Sequence, residues 1–231
     1  MKTKLLVAGL SALLAVGAQA ATVNVSYDAG TTNTTTALTG YSTYGDMMVG
    51  MVVTAWFGAT SETVVWAATG AGAGAAVGTG WSLSESGDTF GSSWFLTNSS
   101  GAALTRLLID AGPGDSVFDT TAVAGDTAGS ASGWSFQLVN ISAADANDTI
   151  NAEYRDAVAL GMASPVGDLY RYLDISIRDG LSSGSVMEYV TDTDNLEFAG
   201  DLTPVPDTAS TLGCLGLGLL AMFGAARRRI A

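Results

Sequence analysis

The sequence predicts an all-β fold: a single antiparallel two-sheet β-sandwich of jelly-roll-like form, set between two apolar terminal segments. Three observations point there. Short stretches of alternating apolar and polar residues recur along the body, each bounded by Gly, Asn, Asp or Ser. Helical periodicity is weak throughout. About ten short strands follow one another without intervening helices, and no composition break or repeat divides them, which is the pattern of sheets packed on sheets.

The clearest strand is residues 169–178, LYRYLDISIR. Leu169, Arg171, Leu173, Ile175 and Ile177 fall on one face, and Tyr170, Tyr172, Asp174, Ser176 and Arg178 on the other, so that one side is nearly all aliphatic. In WSFQLV, Trp134, Phe136 and Leu138 alternate with Ser135, Gln137 and Val139 in the same way. Further strands are expected over residues 46–57, 61–68, 80–84, 92–97, 104–110, 148–155 and 186–191. Residues 143–147 and 156–162 have room for a short turn of helix. Residues 31–39 read as a Thr-rich loop or edge, and 199–206 as a linker.

The N-terminus begins MKTKLLVAGLSALLAVGAQA, with Lys2 and Lys4, an apolar core and the small residues Ala18, Ala20 and Ala21 around a cleavage point after Ala20. That order is a secretory signal peptide. The expected organisation is therefore a signal peptide at 1–20, one β-sandwich domain at 21–203 and a C-terminal sorting signal at 204–231. Both lysines lie in the signal peptide, so residues 21–206 carry four arginines against 21 acids, a formal charge of −17. A body so acidic repels phosphate backbones, which excludes nucleic acid as a partner. The chain has no histidine, and its one cysteine, Cys214, lies in the tail. Imidazole metal sites, Ser-His-Asp triads and internal disulfides of the body are thereby excluded.

The chain ends VPDTASTLGCLGLGLLAMFGAARRRIA. Residues 212–226 hold no charged side chain and would make roughly 22 Å of helix at about 1.5 Å per residue, just short of a roughly 30 Å hydrocarbon core. Arg227, Arg228 and Arg229 would stay on the cytoplasmic side, leaving the body across the membrane. Val205-Pro206-Asp207, then Ser210-Thr211-Leu212, the Gly/Leu-rich run and the arginine cluster resemble the PEP-CTERM class of bacterial sorting tails. The resemblance is strongest to the variant whose motif begins Val-Pro-Asp-Ser-Gly (VPDSG-CTERM), with Thr208 and Ala209 standing where that variant has Ser and Gly. It covers about 27 C-terminal residues. It implies recognition by an exosortase, a multi-pass membrane protease or transpeptidase, after passage through the secretion machinery and signal peptidase. It also implies a path from the inner membrane of a Gram-negative bacterium to its surface or exopolysaccharide matrix.

Within the body, TGAGAGAAVGTG at 69–80 gives Gly70, Gly72 and Ala75 the spacing of a loose dinucleotide motif. A strand-like segment follows it instead of a helix, so a flexible loop is expected. The segment TDTDNLEF brings Asp192, Asp194, Asn195 and Glu197 within six residues, all oxygen donors suited to calcium; residues 110–119 are a weaker candidate of the same kind. Calcium is thus the one candidate cofactor. Among five tryptophans, Trp81 and Trp94 lie nearest Gly/Ser turns and are the candidates for stacking on sugars. Paired carboxylates can also hydrolyse glycosides, but with 21 acids the sequence singles out no pair. The expected function is that of a non-enzymatic, exported surface or matrix protein. The alternatives are a calcium-dependent carbohydrate-binding sandwich and a secreted glycoside-active enzyme.

Overall fold

The computed structural model describes residues 20–39, 42–121, 125–197 and 200–204. Ala18, the motif from Val205 to Leu212 and Arg227 to Arg229 lie outside the described residues; Ala20 and Ala21 are at the N-terminal edge of the body, before its first strand. The described residues are all-β, in two mostly antiparallel sheets consistent with a β-sandwich. No helix among them is long and apolar enough to cross a membrane.

Numbered in chain order, the larger sheet holds β1 (Thr22–Asp28), β2 (Asn33–Thr35), β3 (Val52–Phe57), β4 (Thr60–Val65), β9 (Leu104–Asp110), β10 (Ser116–Asp119), β12 (Thr149–Leu160), β13 (Leu169–Leu181), β15 (Asp192–Asn195) and β16 (Thr203–Pro204). The smaller sheet holds β5 (Ala67–Gly70), β6 (Ala73–Gly78), β7 (Trp81–Ser86), β8 (Trp94–Asn98), β11 (Gln137–Ile141) and β14 (Ser185–Val190), in the order β11-β14-β8-β7-β6-β5. In the larger sheet the central ribbon is β12-β13-β9-β3-β4. The first residues of β13 extend beyond β9 and pair with β10, which in turn pairs with β15. That short β10·β15 ladder carries the site described below.

The core lies between the sheets. Val53, Ala55, Leu107, Ile109, Leu173 and Ile175 from the larger sheet belong to one buried cluster with Leu83, Leu96, Met187 and Tyr189 from the smaller one. Apart from the smaller Ala55, each such side chain stabilises the fold by roughly 1.5–3 kcal/mol when fully buried. Trp66 and Trp94 sit 5.3 Å apart, and Trp94 stacks on Tyr189 at 6.2 Å. The indole N–H groups are satisfied, Trp66 Nε1 by Gly45 O at 2.7 Å and Trp94 Nε1 by Thr191 O at 3.0 Å.

Several local expectations are corrected. The sandwich is not wholly antiparallel: β1 and β2 both run parallel to β12. More than a hundred residues separate those partners, so no hairpin dictates their direction. Residues 156–162 are not helical, because β12 continues to Leu160 and keeps its register with β13 on both sides of Asp156. Asp156 takes φ 60° there, a conformation its short polar side chain tolerates, and its Oδ1 accepts from the Thr31 amide at 3.1 Å. The Gly-rich stretch is no loose loop. It folds back as β5 and β6, and Gly74 lets Trp66 and Gly45 approach so closely that a Cβ there would lie 2.1 Å from the indole nitrogen. Residues 46–51 start with a 3-10 turn, Gly45–Met48, before β3 begins.

Candidate functional site

Alternation along β15 puts Asp192 and Asp194 on one face of the strand, and the antiparallel register sets Asp119 of β10 directly opposite Asp192. Each of the three offers a carboxylate oxygen, and these oxygens all lie within 4.8 Å of one another. The residues are almost closed to solvent, at 1 % exposure for Asp119, 6 % for Asp192 and 3 % for Asp194. Hydroxyls and amides satisfy part of the cluster. Thr89 Oγ1 donates to Asp192 Oδ1 at 2.8 Å, and the Thr193 amide to the same oxygen at 2.9 Å. Ser130 Oγ bridges Asp119 Oδ2, at 2.9 Å, and Asp194 Oδ2 in a shorter contact. Asp119 Oδ1 is buried without any hydrogen-bond partner among the described residues.

Removing carboxylates from water favours their protonated form, and neighbouring acids add to it. Burial, with Asp194 next in weight, lifts Asp119 to about 8. Burial lifts Asp192 to about 7 against the opposing Thr89 hydrogen bond, and Asp194 to about 6 against that of Ser130. Beside them Asp168, also 1 % exposed, accepts from the Thr127 amide at 2.5 Å and from Thr127 Oγ1 at 2.7 Å. The segment 126–134, which covers the cluster, is therefore anchored by Thr127 on Asp168, by Ser130 on Asp119 and Asp194, and by Trp134 O, which accepts from the Asp192 amide at 3.0 Å. Gly133 passes so close that a Cβ would fall 2.6 Å from the Asp119 carboxyl carbon.

Only half of the expected ligand set is brought together. Asn195 points elsewhere: its Oδ1 accepts from Thr43 Oγ1 at 2.9 Å, and its Nδ2 donates to Ser116 Oγ at 3.1 Å. Glu197 is exposed and belongs to no such group. Asp119, the last residue of the weaker stretch, replaces both. Trp81 and Trp94 are likewise not surface platforms, being 2 % and 0 % exposed, and Trp81 Nε1 donates to Glu62 Oε2 at 2.7 Å. Alternation puts both on the core side of their strands, which outweighs the nearby turns. The exposed aromatic pair is instead Phe90 and Trp134, 46 % and 40 % exposed with ring centroids 5.8 Å apart. Each adjoins the acid cluster: Thr89 precedes Phe90, and Trp134 O holds the Asp192 amide.

A second buried acid stands apart. Glu85 on β7 is 1 % exposed, with neither carboxyl oxygen in a well-formed hydrogen bond among the described residues, and burial, reinforced by Asp88 and opposed by the nearby Gly45 amide, lifts it to about 8. The outer face of the larger sheet carries paired charges. Arg106 makes two bonds to Asp174, at 2.8 and 2.5 Å, and Arg155 reaches the same carboxylate at 3.2 Å. Arg171 makes two bonds of 2.8 Å to Asp110.

The fold and the cluster define this chain as an acidic two-sheet β-protein with a buried carboxylate cluster at one ladder. No family model, no curated protein and no solved structure matches the chain.

Proposed function

We propose that the chain is a non-enzymatic, exported protein of the cell surface or exopolysaccharide matrix, a jelly-roll-like sandwich sorted by an exosortase through its tail. The observation that carries this reading is the three-part C-terminus behind a signal-peptide start: Val205-Pro206-Asp207, the apolar run, and Arg227 to Arg229. Mass spectrometry of the protein recovered from host envelope and medium tests the reading. An N-terminus at Ala21 and a C-terminus near Pro206 are expected; an intact tail ending at Ala231, found only in membranes, would overturn it.

A second reading, a carbohydrate-binding sandwich, is favoured by the exposed Phe90–Trp134 pair, since adjacent aromatic faces left in water are suited to stacking on sugar rings. Glycan binding that drops at least tenfold in Trp134→Ala, with unchanged melting temperature, is its expected signature. Equal binding by wild type and variant would remove it.

A further inference from the structure

We propose that Asp119, Asp192 and Asp194 form a binding site for one calcium ion, closed by Ser130, and that the ion fastens segment 126–134 onto the β10·β15 ladder. Four observations carry this. The first is size: oxygens mutually within 4.8 Å share a central point no more than about 2.8 Å from each, so that shifts of a few tenths of an ångström bring all three to the ordinary calcium–oxygen distance of about 2.3–2.6 Å. The second is the orphaned Asp119 Oδ1, on a side chain 1 % exposed and facing Asp192 across the ladder, which meets no donor among the described residues. Buried carboxylate oxygens are otherwise hydrogen-bonded or coordinate metal.

The third is the absence of a protein counter-charge. The described ion pairs bind Arg106 and Arg155 to Asp174, Arg171 to Asp110, and Arg178 to Asp148 and Asp179; none reaches the cluster. The fourth is Ser130. Its proton has a third acceptor in Ala131 O at 3.0 Å, so turning the O–H toward that carbonyl frees oxygen lone pairs for a cation between Asp119 and Asp194.

The donor set selects the metal. It contains neither nitrogen nor sulfur, which disfavours zinc. Magnesium requires distances of about 2.0–2.1 Å and keeps several waters, whereas these side chains are almost dry; calcium accepts longer bonds, irregular geometry and bidentate carboxylates. The consequence for the surface is mechanical. Trp134 is the last residue of the fastened segment, and Phe90 follows Thr89, which donates to Asp192. The ion thus sits behind both rings without touching them. The carboxylates alone build this site, whatever the tail is sorted by and whatever the aromatic pair binds.

The test uses the full chain, expressed with its own leader and tail, purified in detergent and stripped with chelator. Calorimetric titration with calcium chloride is expected to show one ion per chain. Calcium at about 100 times its Kd is expected to raise the melting temperature by roughly 5–10 °C, and to slow amide hydrogen exchange across residues 126–134 at least tenfold. Magnesium should give a much smaller response. Asp119→Asn should abolish the response, with Asp194→Asn as the second variant should the first not fold, while Glu197→Gln should keep it. Failure of the wild type to bind calcium at millimolar concentration overturns the proposal. So does a calcium response that survives Asp119→Asn and Asp194→Asn, which would place the ion on exposed acids, or one that Glu197→Gln removes.

Discussion

The outer face of the larger sheet and the β10·β15 ladder both take carboxylates out of water, and they treat the charge in opposite ways. On the outer face, Asp174 receives a two-bond contact from Arg106 and a second cation from Arg155, and Asp110 receives a two-bond contact from Arg171. Aromatic rings extend that lattice: Arg106 lies 4.6 Å from the Trp56 ring centroid, and Arg171 4.9 Å from that of Tyr172. At the ladder, Asp119, Asp192 and Asp194 are more deeply closed off, yet among the described residues only hydroxyls and amides bond to them. A body with 21 acids and four arginines cannot neutralise every buried carboxylate, and this one spends its arginines away from the ladder. The difference teaches that the acidity is divided. One part is balanced within the chain, and another is left for protons or an external cation.

Glu85 gives the largest effect and shows the proton-only limit. Among the described residues it has neither a cation nor fellow ligands, and burial holds its carboxyl at about 8 against an ordinary 4.5. A folded-state value raised in this way means the native state binds the proton more tightly than the unfolded chain does. The resulting stability is complete below about pH 4.5 and is lost as pH rises through 8. Between pH 5 and 9 the loss is on the order of 3–5 kcal/mol at about 1.4 kcal/mol per unit. Glu85→Gln, neutral at every pH, is expected to flatten this part of the curve. Thermal melts of both proteins across that range measure it. Parallel wild-type and variant curves would mean that Glu85 finds a partner, and that the division into balanced and unbalanced acids is wrong at this position.

Much of the architecture was legible in the sequence, because period-2 alternation is a local signal. Residues 104–110 are a strand over just that range, and residues 169–178 lie within β13. What failed was context. Residues 156–162 have the short polar and alanine composition of a helical turn, but β12 is held on both sides by β2 and β13. The Gly-rich run lacks side chains that announce a strand, and the close approach of Trp66 and Gly45 leaves no room for a side chain at Gly74. The acid cluster was half legible. Asp192 and Asp194 share a face by spacing alone, but Asp119 lies 73 positions away and joins them through register. Asn195 looked like a ligand only because proximity in sequence ignores that neighbouring strand residues point to opposite sides.

A sharper form of the comparison applies one substitution, Asp→Asn, to both regions in calcium-free, chelator-treated protein. At Asp174, 8 % exposed, the change leaves two guanidinium groups facing an amide that accepts less well and carries no charge. Breaking a fully buried pair costs roughly 3–5 kcal/mol. Since the Arg106 and Arg155 side chains keep 40 % and 32 % exposure, water recovers part of that, and a loss of about 2 kcal/mol is expected. At Asp119 the same change removes one of three crowded acids while preserving shape, and the new amide can donate toward Asp194. A smaller gain of about 1 kcal/mol is expected near neutral pH, because the amide stays neutral without the proton that the buried Asp119 carboxyl must take up on folding, and that saving outweighs the one hydrogen bond that Ser130 donates to Asp119. Urea melts of the two variants decide the matter through the sign of the shift. Were both substitutions to destabilise the protein alike, Asp119 would already be satisfied without metal, and the ladder would be a hydrogen-bonded acid cluster of the same balanced kind as the outer face.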